Sequence, residues 1–112
     1  MGQVVRVVTI QAGQSDSDPV FTEQYRLASV YMPVSWDTAQ LTFRGSFEQA
    51  GAYIPVFDRN GSEYVVVTAA GRYVSVPLLD LAGLRWLRLR SGTSDAPINQ
   101  SAERQIRIML SH

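Results

Sequence analysis

Apolar and polar residues alternate with a period of two along most of this chain, and no other feature narrows its choice of fold so far. Successive side chains of a β-strand point to opposite faces, so this alternation marks strands with one face buried. "QLTFRGSF" places Leu41, Phe43 and Phe47 on one face and Thr42, Arg44 and Ser46 on the other. "RQIRIML" sets Ile106, Ile108 and Leu110 against Gln105 and Arg107 in the same way. The pattern predicts strands over 3–10, 24–32, 39–47, 52–57, 62–68, 72–76, 84–91 and 103–110.

The breaks between these segments carry turn chemistry. "DRNGSE" holds Asn60-Gly61, a dipeptide at ease with positive φ, which suits a tight hairpin between 52–57 and 62–68. Gly51 in "EQAGAY" and Gly71 in "TAAGRY" mark the neighbouring reversals. "VPLLDLAGL" (76–84) lacks alternation and is expected to cross between sheets, with room for one helical turn. "MPVSWDTAQ" (32–40) is a similar crossing, with Trp36 expected to plug one end of the core. No segment has the spacing and caps of a long amphipathic helix, and no internal repeat is present.

Many short strands with Gly and Pro turns define an all-β chain. The expected fold is a single domain over 1–112, an antiparallel β-sandwich of about eight strands, jelly-roll-like. An immunoglobulin-like sandwich is the second topology. A domain of 112 residues buries roughly 65% of its unfolded surface, enough for one core without staples.

Function is bounded mainly by exclusion. The sole histidine is His112 at the last position, and there is no cysteine. Neither a rigidly held imidazole base nor a thiol nucleophile is available, so no enzyme, catalytic residue, metal site or cofactor is expected. "QSDSDP" offers Asp16 and Asp18 at a spacing that calcium accepts, but no glycine or distant glutamate completes a loop of that kind, and a solvated turn is the simpler reading. No glycine-rich phosphate loop is present. Net charge is zero, so the whole-chain field does not favour nucleic acid as a partner. Apolar runs span only a few residues, and neither a membrane-spanning segment nor a secretion signal is expected.

Two stretches invite a functional reading. The first is "RWLRLRSGTSDAPINQ" (85–100). Its leucines, Leu87 and Leu89, belong to the core, so the other face presents Trp86, Arg88 and Arg90. That face can be a solvated surface whose arginine stems cover the tryptophan. It can equally be a protein interface, since Trp and Arg are enriched at binding hot spots. A third reading is a platform on which a sugar or base stacks. All ten basic residues of the chain are arginine, the cation that best tolerates partial desolvation. The polar loop that follows offers Asn99 and Gln100, whose amides are expected to satisfy backbone groups.

The second stretch is "MGQVVRVVTI", where Val4, Val5, Val7, Val8 and Ile10 are apolar on both parities. A strand of this kind is covered on both faces or lies at an edge that a partner completes. Residues 1–20 therefore read as an extended arm or edge strand, with Val4, Val5, Arg6 and Val7 as interface candidates.

Trp36, "LTFRGSF", "YIPVFDRNGSEYVV", "LRWLRLRSGT…APINQ" and "RQIRIML" form an ordered series. The series resembles small β-sandwich proteins encoded beside the head genes of tailed phages, over roughly residues 30–110. Its most specific part is the "LRSGT…P-x-N-Q" element. The resemblance implies a capsid decoration, or cement, protein on the outside of the virion. Such proteins act as dimers or trimers that bridge major capsid subunits, and no catalytic residues come with them. On this reading, charge reversal at Arg88 and Arg90 is expected to abolish attachment to expanded shells and leave the fold intact. A similar sandwich in discoidin-like modules keeps a carbohydrate-binding alternative open, with Trp86, Tyr53 or Tyr73 as stacking platforms.

Overall fold

A computed structural model describes residues 2–112 and contains eight strands: β1 (Gln3–Ile10), β2 (Val20–Phe21), β3 (Arg26–Tyr31), β4 (Leu41–Ser46), β5 (Ile54–Pro55), β6 (Tyr73–Ser75), β7 (Trp86–Ser91) and β8 (Arg104–Ser111). One sheet runs β1-β8-β3-β6 and the other β2-β7-β4-β5, every pair antiparallel. Each strand of the first half thus pairs with its mirror in the second half: β1 with β8, β2 with β7, β3 with β6, β4 with β5. A long antiparallel hairpin rolled over onto itself gives this order, and the result is the eight-stranded jelly roll.

The period-two pattern explains most of the side chains that fill the sandwich. A register shift between Leu27 and Ser29 brings Leu27 and Val30, of opposite parity, to the same inner face. Val8 and Ile10 of β1, Leu27 and Val30 of β3, Leu41 and Phe43 of β4, Leu87 and Leu89 of β7, and Ile106, Ile108 and Leu110 of β8 all point inward and are buried. Trp36 closes one end of this core as expected, with its indole N–H donating to the Ala39 carbonyl at 3.1 Å.

Four expectations need correction. Residues 62–68 form no ladder. Glu63 bridges Phe57 and Val66 bridges Leu41, so this segment passes from one strand to another and leaves Val65 and Val67 exposed. Tyr64, Val65, Val66 and Val67 run together there as a β-prone apolar stretch, but the chain has no single neighbour to pair with. The strand total is restored by β2, whose two residues are too short to show a period. Phe47 is 83% exposed, because β4 ends at Ser46 and the chain turns back through a Gly51 N–H to Glu48 carbonyl bond. The crossing at 76–84 joins the two sheets as expected but contains only turns. In the tight turn at 58–62, only Gly61 takes a positive φ, while the Asp58 carboxylate accepts the N–H groups of Asn60 and Ser62.

A polar clasp seals the end of the sandwich beside Trp36. Gln100 is fully buried: its Oε1 accepts the Asp37 N–H at 2.8 Å, and its Nε2 donates to the Asp37 carbonyl and the Ser91 hydroxyl. The expected role of this amide is therefore met at Gln100, whereas Asn99 is exposed. Arg104 donates to Asp37 Oδ1 at 2.7 Å. That bond first, and then one from the Ser101 hydroxyl, hold the Asp37 carboxyl below its ordinary pKa of 3.8. A depressed carboxyl pKa contributes stability that is complete above the ordinary value and is lost as pH falls through the folded-state value. The melting temperature is therefore expected to drop on acidification below about pH 4, and to drop less steeply in an Asp37→Asn variant. Equal slopes for the two proteins would remove Asp37 from the account.

Candidate functional site

The two outer faces of the sandwich differ in how the chain treats them. On the β2-β7-β4-β5 sheet, Trp86, Arg88 and Arg90 point outward as the sequence implies, opposite Ser46, Arg44 and Thr42 respectively. The chain then covers them itself. Residues 15–17 run alongside β7, with the Ser17 N–H bonded to the Leu89 carbonyl at 2.8 Å and the Ser91 N–H to the Ser15 carbonyl.

Each arginine of this face finds an internal partner. Arg90 is 7% exposed; it pairs with Glu63 at 2.6 Å and donates its Nε–H to the Thr42 hydroxyl. Glu63 also accepts from the Ser94 N–H and hydroxyl, which ties the 93–98 loop to the same ion pair. Arg88 lies 4.6 Å over the Tyr53 ring and donates to the Ser17 carbonyl. Arg44, directly across from Arg88, pairs with Asp16 and donates to the Tyr53 carbonyl. Two guanidinium groups on facing strands would repel, and the Asp16 carboxylate and Tyr53 ring offset that repulsion. Trp86 stacks on Phe21 at 4.8 Å, half-buried.

These contacts also locate the remaining candidates. Asp16 is committed to Arg44, and Asp18 Oδ1 accepts the Thr9 N–H at 2.7 Å. Among the described residues no group of three or more His, Asp or Glu side chains converges. His112 rests against Tyr25. Tyr53 is buried beneath Arg88, so it presents no stacking surface. Tyr64 donates to Asp80 at 2.7 Å, and burial followed by that carboxylate pushes its phenol well above the usual range.

The β1-β8-β3-β6 sheet presents a bare outer face. Its register aligns Val7, Arg107, Tyr31 and Tyr73 in one row across all four strands. The next row is Val5, Met109, Ser29 and Ser75. Val5, Val7, Tyr31 and Tyr73 are 53%, 49%, 51% and 64% exposed. Tyr31 and Tyr73 meet edge to face at 5.2 Å, and the Arg107 guanidinium stands 6.0 Å from the Tyr31 ring. A groove of about 240 Å³ lies between these side chains. Single exposed apolar residues are ordinary on a soluble domain, whereas contiguous ones mark a contact surface.

The sequence candidates divide accordingly. Val5 and Val7 belong to this bare face, Val4 packs against the core, and Arg6 reaches Glu23 at 3.2 Å. Tyr31 and Arg107 were not singled out from sequence. Alternation had placed Arg107 and the 24–32 strand, but only the pairing of β3 with both β6 and β8 brings Tyr31 beside Tyr73 and Arg107.

Fold and surface together define a jelly-roll β-sandwich with one self-covered face and one open aromatic and aliphatic face. No family model matches this chain, and no curated protein or solved structure does so either.

Proposed function

We propose that this chain is a non-enzymatic virion structural protein, a capsid decoration protein that binds the outside of a tailed-phage head and bridges neighbouring major capsid subunits. The observation that supports this reading is the open face, where Val5, Val7, Tyr31 and Tyr73 stand about half or more exposed on adjacent rows of one sheet. Burial of such a surface against another protein releases water from apolar area, and Tyr beside Arg is the composition of a binding hot spot. The arginine face of the other sheet is a poorer candidate for the contact, because its cations are already engaged within the chain.

The test is co-sedimentation with expanded phage shells. Tyr31→Glu and Val7→Glu each place a charge on the open face without touching the core. Each is expected to weaken attachment more than tenfold, which corresponds to about 1.4 kcal/mol, while the melting temperature stays near that of the parent. Attachment unchanged in both variants would sink the assignment of this face.

The second reading is a carbohydrate-binding module, favoured by one arrangement. Tyr73 is an exposed ring with Tyr31 and Arg107 beside it, a stacking surface with a hydrogen-bond donor at its rim. A glycan array on which the parent binds and Tyr73→Ala does not would bring this reading to the front.

A further inference from the structure

We propose that this chain pairs with a second copy of itself along the free edge of β1, antiparallel and centred on Val5. The inference deepens the assembly role above by naming the partner and its register.

The backbone groups of β1 point alternately toward β8 and away from it. The His112 N–H donates to the Gly2 carbonyl, so even-numbered positions of this segment face β8. Thr9 faces the other way: its N–H donates to Asp18 Oδ1, and its carbonyl accepts the Asp18 N–H at 3.1 Å. Hydrogen-bonding direction alternates along an antiparallel strand, so Gln3, Val5 and Val7 aim their N–H and C=O groups away from the sheet. The Val5 carbonyl accepts a long bond, 3.4 Å, from the neighbouring Arg6 guanidinium, which a second strand would displace. None of the three positions has a strand partner on this side. Strand groups left in this way form a template for another strand.

The other three edges of the sandwich are guarded. β6 has three residues and Pro77 follows closely, β5 has two of which one is Pro55, and β2 has two with Pro19 before it. β1 has eight residues and no proline, glycine or lysine. Among the described residues it is the one long edge left open.

The Asp18 clasp selects the register. A pairing centred on Val7 would set Val5 against Thr9, whose groups Asp18 already holds. A pairing centred on Gln3 leaves Val7 opposite no described residue. Centred on Val5, Gln3 meets Val7 of the second copy, Val5 meets Val5, and Val7 meets Gln3. All three outward positions are then used, giving about six backbone hydrogen bonds.

Charge permits the same geometry. The row of facing side chains is uncharged, and the chain has zero net charge. Arg6 brings its own counter-ion, Glu23, at 3.2 Å, so the two-fold axis gathers two neutral pairs and not two bare cations. The two four-stranded sheets become one of eight, with both open faces on the same side. An interface this narrow stays below the roughly 1,200 Å² of a tight complex, so the dimer is expected to dissociate on dilution.

Light scattering on the purified chain across a hundredfold range of concentration reads the association directly. The expected result is a mass that rises toward twice that of the chain, with a dissociation constant raised more than tenfold by Val5→Lys, a charge of the kind that blunts open edges. A second measurement uses the absence of native cysteine. Residues facing each other as a hydrogen-bonded antiparallel pair sit about 5.5 Å apart at Cα, within disulfide reach. Under mild oxidation Val5→Cys is expected to form a covalent dimer at least tenfold faster than Gln105→Cys, which is exposed but one strand away from the edge. A mass that stays that of the monomer at every concentration overturns the proposal. So does a Val5→Cys chain that crosslinks no faster than the control. Both readouts need no shells, so this pairing and the capsid attachment stand or fall separately.

Discussion

Arg90→Ala is expected to lower the stability of this protein by about 3–5 kcal/mol, the cost of breaking a buried ion pair by removing one partner. The geometry places Arg90 in that category. Its side chain is 8% exposed and that of Glu63 13%, with 2.6 Å between nitrogen and oxygen. Removing the guanidinium strands the Glu63 carboxylate, with only the Ser94 N–H and hydroxyl left to bond it. The Thr42 hydroxyl loses its bond from Arg90 as well. A small domain has only about 5–15 kcal/mol of net stability, so a loss of this size is a large fraction of the whole. Urea denaturation with an unchanged slope would report it as a shifted midpoint. A change below about 1 kcal/mol would mean that the pair behaves as a surface contact. Removing both charges together, as Arg90→Met with Glu63→Leu, is expected to recover most of the loss, since an apolar pair of similar volume has no stranded charge. The consequence for function is direct. Arg90→Glu would set two carboxylates against each other in a buried site, so charge reversal there reads out folding before it reads out attachment.

Gly92→Ala is the second large effect, expected at about 3 kcal/mol or more. Gly92 has a φ of +91°, a region that costs an L-residue about 1–2 kcal/mol. A Cβ there would also lie 2.5 Å from the Ala96 carbonyl oxygen and 2.7 Å from the Ile98 nitrogen. Both obstacles are backbone, held by the Ile98 N–H to Ser91 carbonyl bond at 2.9 Å, so neither can swing aside. Gly61→Ala is the matched control. Its φ is +87° but nothing lies within 4 Å of the added carbon, and it should cost only the conformational part. Thermal melts of the two variants separate these causes. Equal losses would show that crowding at Gly92 contributes nothing.

The physics of Gly92 bears on the most distinctive sequence element. In "LRSGT…P-x-N-Q", Ser91 and Gln100 are buried, Gly92 lets the loop fold back onto Pro97, and Gln100 locks the Trp36 crossing. The element reads as a structural closure at one end of the sandwich. The face that supports the functional proposal lies elsewhere, in residues whose sequence surroundings are generic β pattern.

Much of the architecture was legible because strand alternation is local. Leu41, Phe43, Leu87, Leu89, Ile106, Ile108 and Leu110 are core residues on parity alone, and parity needs no knowledge of the neighbouring strand. β1, apolar on both parities, did not reveal that Val8 and Ile10 are the inward pair. Errors fell where a second partner decides the outcome. Residues 62–68 read as a strand but make only two isolated bridges to different parts of the chain, and Val20–Phe21 becomes a strand only because β7 lies beside it. The outward parity of Trp86, Arg88 and Arg90 was equally readable. Whether those side chains meet solvent was not, because their cover comes from residues 15–17, Tyr53 and Glu63, with Ser17 lying 71 positions from Arg88 along the chain.

The same division describes the molecule as a whole. Period-two hydropathy, dispersed glycine and proline, and the lack of any helix pattern determined by themselves that this chain folds as an antiparallel sandwich, and gave the inward set of β4, β7 and β8 apart from Phe47. Which outer face is covered, which edge is open, and which aromatic rings share a row were decided only by tertiary structure. Parity belongs to one strand at a time, whereas exposure belongs to whatever the rest of the chain lays over it.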